Sequence, residues 1–125
     1  MKTLLLSLLL SAVLCAADVT GKWSGVFEFK NDQGETRSEP AFLILKQEGA
    51  RLSGSGGPNE GEQHAFQNGT VDGAILVFEI PLGGERTIQF KLKASGDAIQ
   101  GDMKMPRKDG VIQEATMSIK RVAEK

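Results

Sequence analysis

From residue 18 onward, apolar side chains recur at every second position, and turn-forming residues break the alternation about every ten residues. In "GKWSGVFEFK", Trp23, Phe27 and Phe29 fall on one face, and Lys22, Glu28 and Lys30 on the other. "RTIQFKLK" alternates as cleanly, with Ile88, Phe90 and Leu92 set against Gln89, Lys91 and Lys93. "AILVFEI" gathers Leu76, Phe78 and Ile80; "AIQGDMKM" gathers Ile99, Gly101, Met103 and Met105; "EATMSIKRV" gathers Ala115, Met117, Ile119 and Arg121. Two segments are less regular. "PAFLILKQ" is apolar on both faces, with Leu43 and Leu45 assigned inward, and "QHAFQNGTV" follows the short run "RLSGSG" without a clean phase. A period of two belongs to strands with one buried face, and no segment shows the helical period. The pattern predicts an all-β domain of eight strands.

The connections "NDQGET", "QEGA", "GGPNEGE", "VDGA", "PLGGE", "ASGD" and "PRKDGV" are short and rich in Gly, Asp and Asn. Such turns join sequential strands as antiparallel hairpins. A faint repeat runs through them: Gly49, Gly73 and Gly96 each stand three residues before an inward aliphatic, at Leu52, Leu76 and Ile99. Eight strands with one apolar face each must bury that face against itself, and closure also removes the sheet edges. The expected architecture is an eight-stranded antiparallel up-and-down (meander) β-barrel.

The residues before Asp18 follow a different pattern. Lys2, an apolar run from Leu4 to Leu14 and the small residues Cys15, Ala16 and Ala17 describe a secretory signal peptide over 1–17. Cleavage is expected after Ala17, with Cys15 the other candidate. Acylation at Cys15, as in a lipoprotein, is the minor alternative, because Leu14 is bulky where such sites favour a small residue. The apolar run is too short to span a bilayer, and no second one follows it. Residues 18–125 then form a single domain, secreted or periplasmic. Losing the leader removes Lys2 and no acid, so the formal net charge moves from −1 to −2. That balance gives no electrostatic attraction to nucleic acid. Cys15, the only cysteine, leaves with the leader, so no disulfide supports the mature fold.

The Gly21-x-Trp23 opening and the in-phase Arg121 of the last strand resemble the lipocalin and avidin-like (calycin-type) group of small barrels. In that group a tryptophan sits at the closed end and a basic side chain packs across its ring. The resemblance implies a structural pair of Trp23 and Arg121, a cation–π contact. The chain is also similar to a kind of short secreted bacterial domain that opens with "DVTGKW" and continues with "LKQ" and an "L-x-G" strand, a likeness that carries no activity. It departs from the biotin binders, whose sites are lined by several tryptophans and by tyrosine or serine hydroxyls, whereas this chain has one Trp and no Tyr.

Candidate chemistry is sparse. His64 follows a polar loop with Glu60 and Glu62 and could in principle activate Ser53, Ser55 or water. No motif fixes that geometry, and a solvated histidine is the preferred reading. Asp97, Asp102 and Asp109 stand near turns without calcium-loop spacing. "NGT" at Asn68 is a glycosylation sequon or a bulge, the bulge being preferred. Met103 and Met105, with His64, form the candidate for a soft metal, Cu(I) or Ag(I); the alternative and preferred role is flexible core filling in phase with Met117. No cofactor is expected.

These residues point to a non-enzymatic binding module for a small apolar or amphiphilic molecule or a protein partner. The alternatives are an inhibitor or interaction module acting through "GGPNEGEQH" and a periplasmic soft-metal binder. The many large inward residues predict a mostly filled lumen with a shallow mouth and weak uptake of fatty acids.

Overall fold

The computed structural model describes residues 18–83, 85–107 and 109–122. The expected leader and Cys15 lie outside the described residues. Nine strands follow one another: β1 (Gly21–Lys30), β2 (Thr36–Glu48), β3 (Arg51–Asn59), β4 (Glu62–Ala65), β5 (Gln67–Asp72), β6 (Ile75–Gly83), β7 (Arg86–Ser95), β8 (Ala98–Pro106) and β9 (Ile112–Arg121). β4 and β5 are two pieces of the fourth strand of the expected eight, parted at Phe66. All pairings are antiparallel; they join neighbours in sequence, except that β3 pairs with β5 as well as β4, the two pieces of one strand, and that β1 also pairs with β9. That pairing closes an eight-stranded up-and-down β-barrel. Among the described residues no helix is long and apolar enough to cross a membrane.

The alternation decides what the barrel buries. Trp23, Leu43, Leu76, Phe78, Leu92, Ile99 and Ile119 are all less than 2% exposed or nearly so and fill the lumen. Burying aliphatic and aromatic side chains of this size contributes about 1.5–3 kcal/mol each. Phe66, Phe78 and Phe90 stack in a column across three strands, with ring centroids 4.0 and 4.5 Å apart. Every buried side chain among the described residues is apolar or glycine.

Irregularity in the fourth strand has a local cause. Gln67 and Thr70 face Glu79 and Val77, so three steps on β5 match two on β6, which is a β-bulge. Asn68 sits in it with φ 55°, the left-handed region that Asn tolerates better than most residues. A Cβ at Gly69 would lie 2.1 Å from the Leu52 carbonyl oxygen, so only glycine fits there. The extra residue lets both Phe66 and Val71 turn inward although they are an odd number of positions apart.

β2, apolar on both faces, has Ala41, Leu43 and Leu45 buried and Phe42 and Ile44 half-buried on the outside. Side chains of the β3–β4 hairpin reach back to β2 and β1. Gln63 Nε2 donates to the Phe42 carbonyl at 3.1 Å, and Glu60 at the hairpin tip pairs with Lys22.

Candidate functional site

The two ends of the barrel differ in construction. One end receives the described N-terminus, the turns at 49–50, 73–74 and 96–97, and the end of β9. Here Trp23 is fully buried, and its indole N–H donates to the Val19 carbonyl at 2.9 Å. Register sets Trp23 opposite Arg121, whose guanidinium carbon lies 4.4 Å from the ring centroid. The same guanidinium donates to Asp97 Oδ1 (3.0 Å) and to the carbonyls of Thr20 (2.8 Å) and Asp18 (3.2 Å). Gly21 makes the approach feasible: its φ is 140°, and a Cβ there would stand 3.0 Å from Arg121 Nη1. Gln47 ties down the N-terminal segment, accepting from the Val19 N–H and donating its own backbone N–H to the Thr20 hydroxyl. Asp18 is held below the ordinary carboxylate value of 3.8 by hydrogen bonds from the Thr20 hydroxyl and backbone N–H, with the Arg121 charge adding a smaller share.

The glycine repeat sits at this pole as well. Gly49, Gly73 and Gly96 have φ of 63°, 64° and 64°. The residue after each offers its carbonyl to a strand two places along the meander: Ala50 to Val71, Ala74 to Ala94, Asp97 to Arg121. With the bond from Val122 N–H to the Lys22 carbonyl, these stitches leave the pole sealed.

The opposite pole holds a cavity of about 220 Å³. Its wall is formed by Phe27 of β1, Ala41 and Leu43 of β2, Ile80 and Leu82 of β6, Ile88 and Phe90 of β7, and the thioethers of Met103, Met105 and Met117. Gly56 is buried, and the side chains of Leu43 and Ile80 close over it: a Cβ there would meet Leu43 Cδ2 at 2.7 Å and Ile80 Cδ1 at 3.3 Å. His64 pairs with Gly56 in register and lines the same cavity, and Glu39 contributes a carboxylate to the rim. Outside the mouth, Arg107 clasps two turns together, at 2.8 Å from Asp32 Oδ1 and 3.0 Å from Asp109 Oδ2. The hydrogen bond to Asp32 is the main cause that raises the Arg107 pKa, and the Val111 N–H chiefly lowers that of Asp109.

A broader depression of about 620 Å³ runs along the outer wall by Glu28, Lys30, Asp102, Lys104, Glu114 and Thr116. It is a charged face open to solvent, without the enclosing apolar wall that holds a small ligand. The mouth is the better candidate.

The structure thus brings together both sets of residues singled out in the sequence, at opposite poles. Trp23 and Arg121 meet at the sealed one. His64, Met103 and Met105 meet at the mouth, where Met103 is buried, Met105 half-buried and His64 exposed. Met117, weighed in the sequence only as a core residue, joins them, as do Glu39, Pro58 and Leu82, to which the alternation gave no role. Ser53 and Ser55 do not line this cavity, and Ser55 Oγ donates instead to Gln63 Oε1 at 2.7 Å. Among the described residues no three His, Asp or Glu side chains gather as a metal-binding group. No protein-family model, curated protein or solved structure matches the chain.

Proposed function

We propose that this protein is a secreted, non-enzymatic binding module of the calycin type that takes up one small apolar or amphiphilic molecule at its mouth. The observation that carries the reading is the asymmetry of the barrel. One pole is shut by a buried Trp23 under Arg121, and the other presents an almost wholly apolar cavity with His64 and Glu39 among the residues at its edge. A ligand site needs an apolar wall with a few polar groups to orient the occupant, and the mouth has that composition. The Gly-x-Trp and arginine arrangement of the sealed pole, which resembles that of the lipocalin and avidin-like barrels, supports the same reading.

Size limits the ligand. A dry cavity of about 150 Å³ accommodates benzene, so 220 Å³ suits a molecule of one or two rings or a short chain. Long-chain fatty acids exceed it.

The test uses the three methionine ε-methyls of the mouth as NMR reporters. Titration with 1-naphthol should shift them with 1:1 saturation, while palmitate leaves them unmoved. Ile88→Trp, at a half-buried position of the rim, should block the shifts without changing the fold. A naphthol response elsewhere in the barrel, or none, removes the proposal.

A further inference from the structure

We propose that the methionine side of the mouth is a binding site for a soft monovalent cation, Cu(I) or Ag(I), with Met103, Met105 and Met117 as thioether donors and His64 as the imidazole donor. The inference goes beyond uptake of an apolar molecule and does not rest on it. Strand register sets the three methionines in a diagonal row with Met103 in the middle, since Met105 stands opposite Gln113 and Met117 opposite Gly101. Met103 and Met105 are two positions apart on β8 and therefore share its inward face. The β8–β9 register sets Met103 opposite Ala115 and Gly101 opposite Met117, which makes Met117 the diagonal neighbour of Met103 on that same face. Diagonal neighbours have Cβ atoms about 7–8 Å apart or less, and methionine has three rotatable bonds with which to close the gap. Ala115 and Gly101, the other two corners of that diagonal, are small, and Leu92 Cδ2 leans over Gly101, 2.9 Å from where a Cβ would stand.

His64 approaches from another wall, on β4, and lines the same cavity as the three sulfurs. Its imidazole makes no hydrogen bond with the described side chains or backbone, so its lone pair is committed to nothing else in the fold. The titratable groups facing it in the mouth come down to Glu39, a carboxylate able to offset the single positive charge in an apolar setting.

The donor chemistry selects the ion. Thioethers are soft and neutral, which suits Cu(I) and Ag(I) and disfavours Mg²⁺ and Ca²⁺. A Zn²⁺ site draws on thiolate, imidazole and carboxylate ligands, and the mouth offers one histidine and one rim carboxylate. Phe27 stands opposite Met117 and Phe90 opposite Met103 in register, an apolar surround that favours an ion content with few ligands over one that demands a full oxygen shell.

Silver(I) is the probe, since it has no redox chemistry here, and residues 18–125 carry no cysteine to compete for it. Native mass spectrometry should show one Ag(I) per chain, and the ε-methyl resonances of Met103, Met105 and Met117 should move together on its addition. Cu(I) buffered anaerobically with bathocuproine disulfonate should be retained. Leucine at both 103 and 105 keeps the apolar volume and should lower affinity by more than about 100-fold, beyond the loss of an outer-shell partner. His64→Gln, at an exposed position, should weaken binding and leave thermal unfolding unchanged. Silver that binds without moving those methyls, or with equal affinity in the double leucine variant, overturns the proposal. If the double variant fails to fold, the methyl shifts of the parent and the His64→Gln affinity decide. Naphthol uptake that persists in the silver-deficient variants separates this site from the apolar-ligand reading.

Discussion

Trp23 answers to three groups at once: the Val19 carbonyl, the Arg121 guanidinium and the apolar lumen beneath. Trp23→Ala should destabilise the barrel by about 3–5 kcal/mol as a large core truncation. Trp23→Phe keeps most of the bulk and loses one hydrogen bond, about 0.5–1.5 kcal/mol, and should leave the mouth as it was. Urea unfolding measures the first effect, and the methionine methyl spectrum the second; a changed mouth spectrum in Trp23→Phe would mean that the two poles are coupled. Asp18 and Asp109 give a pH dependence whose sign is set by their depressed folded pKa values. The stability they add is present above the ordinary carboxylate value and is lost as pH falls through the folded one. Urea midpoints should therefore drop on acidification below about pH 5, and the slope should lessen in the Asp18→Asn, Asp109→Asn variant.

At the scale of strands, alternation was enough to expect all eight, and it set the inward face without ambiguity where a strand has one wet face and one dry face. The fourth resisted for a reason lodged in two residues. Asn68 adopts a left-handed φ and Gly69 lies against the Leu52 carbonyl, so the inward set changes parity between Phe66 and Val71. Asn-Gly signals a turn or bulge, but a sequence does not state which inward residues lie on either side of it. Asn68→Val should cost about 1–2 kcal/mol, the strain of a left-handed L-residue, whereas Asn68→Gly should be close to neutral apart from the bond from Asn68 Nδ2 to Glu79; thermal unfolding of the pair checks this. β2 was ambiguous because its outward residues Phe42 and Ile44 are apolar too, so both faces carry the same signal and periodicity does not choose between them. The mouth was legible in part. Spacing alone paired Met103 with Met105, while bringing in Met117 required the β8–β9 register, and bringing in His64 required closure of the barrel.

For the whole molecule, one pairing out of nine joins strands distant in sequence, that of β1 with β9. The others join neighbours along the chain once β4 and β5 are counted as one strand, so most contacts in the sheet are local in sequence. The described chain enters at Asp18 and leaves at Val122, and the two meet through Arg121 and Lys22 at the sealed pole. A circular permutant with these ends joined by a short flexible linker, and new ends opened in the 31–35 turn, should retain the native far-UV spectrum and the buried-tryptophan emission; an exposed-tryptophan spectrum would show that the seam needs free ends. The stitched pole also gives the molecule a heading. A bead, a surface or a fused domain attached through either end meets the closed face, and the methionine-lined opening looks outward into the surroundings whichever end carries the tether.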